Sequence, residues 1–170
     1  MYYDQGDGVA KDAQQAMAWY RKAVERGDPR AQFLLGSMYY LGDVGAKDGQ
    51  QAVAWFRKAA EQGHAPAQYS LGRSYDVGDG VAKDVQQAAT WYRKAAEQGD
   101  AGAQFCLGVS YARGDGVAKD ATAAYMWINL AAANGDAGAA KWRDSLEKSL
   151  TPGQVEAGQR MSHEWLAERE

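Results

Sequence analysis

Residues 78–113 read GDGVAKDVQQAATWYRKAAEQGDAGAQFCLGVSYAR, and residues 42–77 read GDVGAKDGQQAVAWFRKAAEQGHAPAQYSLGRSYDV. The two stretches align without a gap at a step of 36 residues, and the step runs through most of the chain. Trp19, Trp55, Trp91 and Trp127 keep it, as do Ala23, Ala59, Ala95 and Ala131. So do Gly27, Gly63, Gly99 and Gly135, and Tyr3, Tyr39, Tyr75 and Tyr111. The phrase GDGVAKD stands at 6–12, 78–84 and 114–120, with the scrambled GDVGAKD at 42–48. A fixed period of this length marks a repeat architecture.

Each unit reads as two helices. In the second, Ala52, Trp55, Phe56 and Ala59 fall at i, i+3, i+4 and i+7, one helical face. Asp48 and Gln51 form a predicted capping box, repeated by Asp12/Gln15 and Asp84/Gln87, while Asp120 keeps the cap with Ala123 at the return position. Gly63 should end that helix in a left-handed conformation. In the other helix Asp28 is the expected N-cap, Pro29 the first helical residue, Ala31, Leu34, Leu35 and Met38 the apolar stripe, and Gly42 the stop. Gly36, Gly72 and Gly108 sit in mid-helix, where each costs about 1 kcal/mol against Ala. A cost repeated in every unit implies close approach of a neighbouring helix. Each Trp or Tyr ring would remove roughly 150–250 Å² from water, and one helix pair cannot bury its own faces. Stacked pairs can, which gives a solenoid.

Composition narrows the function classes. The chain has 170 residues, a net charge of −3, and six Trp and ten Tyr to bury, which opposes disorder. The mild acidity opposes nucleic-acid binding, whose footprint is basic. No apolar run approaches the roughly 18 residues of a membrane span, so no membrane insertion is expected. Cys106 is the single cysteine, which excludes an internal disulfide framework. Met1 is followed by Tyr2, Tyr3 and Asp4 rather than by a basic and then apolar stretch, so no signal peptide is expected within these residues.

The motif A-x-x-x-L-G-x-x-Y-x-x-G-D-G-V-A-K-D-x-x-x-A-x-x-W-Y-R-K-A-A-E-Q-G closely resembles the Sel-1-like repeat (SLR) family, relatives of tetratricopeptide repeats. The likeness covers about residues 1–140, in units at about 1–27, 28–63, 64–99 and 100–135. Residues 141–170, with Leu150-Thr151-Pro152-Gly153-Gln154, resemble the C-terminal capping extension that follows such arrays in bacterial proteins. Asp144 replaces the mid-helix Gly there, and a final helix from Thr151-Pro152 would carry Val155, Met161, Trp165 and Leu166. The resemblance implies an all-α fold: an α/α solenoid, wound as a right-handed superhelix, of about four helix pairs plus a capping helix. It also implies a non-catalytic scaffold or adaptor for protein–protein contact. Many bacterial members act in host interaction, envelope biology or signalling, which points to periplasm, envelope or secretion and leaves cytoplasm open.

Two departures stand out. Tyr3 holds the expected eleventh position of a first helix. Either residues preceding it have been trimmed or the natural start leaves a second helix without its mate, and in the latter case self-association through the bare end is an expectation. At 44–45 Gly and Val are exchanged, and Val at a position needing φ > 0 would be strained, so that loop should follow a different path.

In tetratricopeptide-like stacking, positions 2, 5, 9, 12 and 13 of the first helix line the concave side. Counted from Pro29, these are Arg30, Phe33, Ser37, Tyr40 and Leu41, then Pro66, Tyr69, Arg73, Asp76 and Val77, then Gly102, Phe105, Val109, Ala112 and Arg113. Position 5 is always aromatic and the others vary, as a rigid groove with a changeable lining would. Phe33, Tyr69 and Phe105 would form an aromatic ladder, with Arg73 and Arg113 as anchors, both favoured hot-spot types. The competing reading packs the rings inside and leaves the arginines as ordinary surface charge.

Chemistry finds little support. Ser145-Leu146-Glu147-Lys148 matches S-x-x-K, and some cysteine-rich relatives are described as penicillin-binding, so a β-lactamase-like hydrolase is the alternative function. No S-D-N or K-T-G accompanies it. His64 takes the N-cap column of Asp28 and Asp100 and reads as a degraded cap; with His163 and one Cys it makes no zinc site. The GDG loops lack the residues of a P-loop or an EF-hand and read as turns. Cys106, in the column of Leu34 and Ser70, reads as a small filler. Arg21-Lys22, Arg57-Lys58 and Arg93-Lys94 should face away from the Trp stripe and pair with Glu25, Glu61 and Glu97. No catalytic residue, cofactor or metal is assigned, and the expected partner is a protein or peptide. A fragment that mainly stacks on further copies is the third reading.

Overall fold

The computed structural model of the protein describes residues 22–43 and 45–169. Among the described residues every regular element is a helix. They are α1 (Pro29–Leu41), α2 (Gly49–Glu61), α3 (Ala65–Val77), α4 (Val85–Ala96), α5 (Ala101–Arg113), α6 (Ala121–Ala133), α7 (Ala137–Glu147) and α8 (Pro152–Ala167). The chain divides into two compact units, Met1–Lys83 and Asp84–Glu170. Within the first, α2 packs on α1 and α3; within the second, α5 packs on α4 and α6, and α6 carries α7 and α8.

Aspartates start the helices. Asp28, Asp48, Asp84, Asp100, Asp120 and Asp136 each accept backbone N–H groups of the first turn. Such caps contribute about 0.5–2 kcal/mol each. The expected return arm at Asp48 is missing, however. The Asp48 N–H donates to the Tyr39 carbonyl at 2.9 Å, so Gln51 has nothing to accept there. A complete reciprocal box forms at Thr151 and Gln154 instead. Asp12/Gln15, Tyr3, Trp19 and Arg21 lie outside the described residues.

Two of the three mid-helix glycines, Gly36 and Gly108, are contact points, as the repetition implied. A Cβ on Gly36 would stand 2.7 Å from the Phe56 ring and 3.2 Å from the Ala52 carbonyl. On Gly108 it would stand 2.5 Å from Ile128 and 3.1 Å from the Ala124 carbonyl. The turns behave alike: Gly80 and Gly116 have φ of +74° and +72°. In the exchanged loop Gly45 has φ +138°, whereas Val81 and Val117 at that position of the other loops have no positive φ, so the path does differ there; Val44 itself lies outside the described residues.

Four expectations need correction. The buried stripe of α1 is Ala31, Gln32, Leu35 and Gly36, while Leu34 is exposed and Met38 half-buried. Trp55 and Trp91 are half-buried, and alanines with Phe56 or Tyr92 fill the core at those levels. Lys58 and Lys94 fold over these indoles, Nζ 4.0 and 4.1 Å from the ring centroids, and Arg57 and Arg93 donate to Tyr75 and Tyr111. The basic pairs thus hold rings, not the glutamates, because a long cationic side chain lies flat on a half-exposed aromatic at little desolvation cost. Finally, α8 buries Gly158 and Ser162 and leaves Met161 and Leu166 exposed. Its small face lets the helix backbone approach α6, where Ser162 Oγ donates to the Met126 carbonyl.

Candidate protein-binding groove

In the first unit α1 and α3 stand beside each other over α2. Asp28 and Pro29 fix where α1 begins, and Gly42 at φ +80° fixes where it stops. His64, Pro66 and Gly78 do the same for α3, although His64 makes no side-chain capping bond. The buried glutamines lock the register. Gln32 accepts from Gln62 Nε2 at 2.8 Å, and Gln68 Nε2 donates to the Ala60 carbonyl at 3.1 Å. In the second unit Gln104, fully buried, donates to the Ala96 carbonyl and accepts from Asn134. The sequence did carry this signal, outside its apolar columns: Gln32, Gln68 and Gln104 keep the 36-residue step.

None of the fifteen side chains expected on the concave face is buried. Arg30, Leu41, Pro66, Arg73, Val77 and Arg113 are exposed and the other nine are half-buried. Leu41 and Val77 are 67% and 62% exposed. Six of the fifteen meet in one crevice of about 220 Å³: Ser37, Tyr40 and Leu41 from α1, and Tyr69, Arg73 and Val77 from α3. Phe56 of α2 lines its floor, with Ser70, Ser74 and Asp79 completing it. Lys47 contacts two of the lining residues, bonding Asp79 at 2.8 Å and lying over the Tyr40 ring at 4.6 Å. The hydrogen bond to Asp79 raises the Lys47 pKa above its ordinary value.

The aromatic positions are used differently from one another. Phe33 contacts Phe56 and His64, with ring centroids 5.8 and 5.1 Å away. Tyr69 lines the crevice. Phe105 meets Trp142 edge-on at 6.0 Å, and Arg113 lies over the same indole. Ser145 and Lys148 are exposed on or beside α7. No group of three His, Cys, Asp or Glu that could hold a metal occurs among the described residues, and no helix there is long and apolar enough to cross a membrane.

The described residues thus form helix pairs with an open crevice of mixed aromatic and charged lining between α1 and α3. The family description "Sel1 repeat" matches residues 1–28, 29–64, 65–100 and 101–136, and the chain belongs to that family. Its fold is therefore an all-α solenoid ending in a further helix. Sel1 repeat proteins serve in general as protein–protein interaction scaffolds. Among solved structures the chain is similar to c5321, a protective antigen of uropathogenic Escherichia coli displaying an SLR fold, at 41% identity and a TM-score of 0.85. The match covers 96% of this chain and 35% of that one. A Sel1 repeat protein from Oxalobacter formigenes is 39% identical with a TM-score of 0.73, over 79% of this chain and 39% of that one. Helicobacter pylori cysteine rich protein B is 27% identical with a TM-score of 0.62, over 78% of this chain and 96% of that one. The chain thus spans little more than a third of the first two relatives. No curated protein matches it.

Proposed function

We propose that the chain is a non-catalytic adaptor that presents the crevice between α1 and α3 to a peptide or protein partner. One observation carries this: six of the residues that the tetratricopeptide-like resemblance implies for a concave face line a single open cavity. Their chemistry suits recognition, since Tyr and Arg concentrate binding energy and rigid helices hold them in place. Residues 141–170 act in this reading as the array's cap, with α8 covering α6 through Gly158 and Ser162.

Arg73→Glu tests the proposal. The side chain is exposed, so the variant should melt at the same temperature as the parent. Capture of a partner purified with the parent protein should fall by about tenfold or more. Unchanged capture would remove the crevice from the binding surface.

A further inference from the structure

We infer that the crevice between α1 and α3 takes an extended peptide segment with an aromatic side chain beside a carboxylate, the ring over Ser70 and the carboxylate on Arg73. This deepens the proposed function and rests on it. The first support is the chain's own second unit. Trp142 stands 72 residues after Ser70, two repeat steps, at the same helical position. There an indole meets Phe105 edge-on and lies beneath the Arg113 guanidinium. The second unit thus holds, from its own sequence, the kind of ring that the first unit leaves out. Ser70 is small, and the space beside it is open.

The second support is charge. Two charged groups line the crevice, Arg73 and Asp79. Asp79 is already neutralised by Lys47 at 2.8 Å. Arg73 is exposed and forms no ion pair among the described residues. Asp76, one turn further on α3, is half-buried and does not line the cavity. The crevice therefore offers one uncompensated cation beside an aromatic and aliphatic wall of Tyr40, Tyr69 and Leu41. A carboxylate can take two parallel N–H bonds from a guanidinium, and a neighbouring ring can fill the wall.

The test uses fluorescence anisotropy with the full chain and three labelled peptides: Gly-Ser-Asp-Trp-Glu-Gly-Ser, its Asn-Trp-Gln counterpart and its Asp-Ala-Glu counterpart. The first should bind saturably and the other two about tenfold or more weaker. Arg73→Glu should weaken the first peptide by a similar factor and leave the Asn-Trp-Gln peptide unchanged. Ser70→Trp, which copies Trp142, should block the first peptide while circular dichroism shows an intact helical melt. Should that variant fail to fold, Arg73→Glu alone decides. Equal binding of all three peptides, or none by the first, overturns the inference. A parallel selection from a displayed random library separates the two levels. Recovered peptides that need Arg73 and Ser70 but lack the acid–aromatic pair would overturn the chemistry and keep the groove. Peptides indifferent to both substitutions would overturn both.

Discussion

Arg57 Nη2 donates to Tyr75 Oη at 2.8 Å, and one repeat later Arg93 Nη2 donates to Tyr111 Oη at 2.7 Å. Each bond ties the second helix of a pair to the next first helix, and each guanidinium also stands near the ring it bonds, 5.7 and 5.8 Å from the centroid. Tyr75→Phe keeps the buried ring and removes only the hydroxyl. Arg57 is exposed and regains water, so the loss should be about 0.5–1.5 kcal/mol in urea unfolding. Tyr111 is half-buried, and Tyr111→Phe should cost less. Equal stability of Tyr75→Phe and the parent would show that the hydroxyl contributes nothing.

The helix-centre glycines allow a comparison in which intrinsic propensity and packing oppose each other. Alanine at Gly36 or Gly108 gains about 1 kcal/mol of helix propensity. It also drives a methyl against Phe56 or Ile128, both buried and unable to swing away. Overpacking of this kind costs roughly 1–3 kcal/mol, so both variants should be destabilised, Gly108→Ala more because Ile128 is fully buried. Gly153 in α8 has nothing within 4 Å of a built Cβ, and Gly153→Ala should be neutral or stabilising. Thermal melts of the three would settle the order. A stabilised Gly108→Ala would mean that the helices are not in contact there.

The close approach at Gly36 and Gly108 is legible in the repeat itself, because a residue that costs helix stability in unit after unit must be offset by packing. The Asp caps and the Gly42 stop were readable for the same reason: each answers a backbone demand that is local. Arg73, Tyr69 and Leu41, which line the crevice, were among the positions that the tetratricopeptide-like resemblance implies for a concave face. What escaped was set by tertiary neighbours. Gln51 looks like half of a capping box until Tyr39 takes the Asp48 N–H. Nothing in the periodicity of apolar residues shows that Gln104 is fully buried, bonding the Ala96 carbonyl and Asn134. Lys58 looks like a partner for Glu61 until Trp55 proves half-exposed and offers its face. Trp142 shares a column with Ser70, and no periodicity says that its ring reaches Phe105.

Glycines with left-handed backbone fall into two groups that substitution should separate. Gly63 has φ +87° and open space where a Cβ would go, so Gly63→Ala meets only conformational strain, about 1–2 kcal/mol. Gly80 has φ +74°, and a Cβ there would lie 2.0 Å from the Gly49 carbonyl oxygen. Backbone cannot yield as a side-chain tip can, so Gly80→Ala must displace the GDG turn from the start of α2. We expect it to lose at least twice the stability lost by Gly63→Ala in chemical denaturation. Similar losses would show that the turn adapts.

His64 offers a prediction with a pH signature. It holds the N-cap of α3 without a capping bond, its Nδ1 is buried without a partner, and its ring lies against Phe33. Its pKa is lowered from the ordinary 6.5, first by burial and then by Arg30, with Asp28 opposing. The unfolded chain therefore takes up the proton more readily than the folded one. The corresponding stability is present in full above the ordinary histidine pKa and is lost as pH falls below it. His64→Asp restores the residue used at Asp28 and Asp100, and its carboxylate would accept first-turn N–H groups for about 0.5–2 kcal/mol. The advantage of the variant should be larger at about pH 5 than at about pH 7.5, because only the parent must bury or expel a proton in that interval. Urea midpoints for both proteins at the two pH values give the answer. A difference that does not change with pH would mean that His64 titrates alike in the folded and unfolded chains.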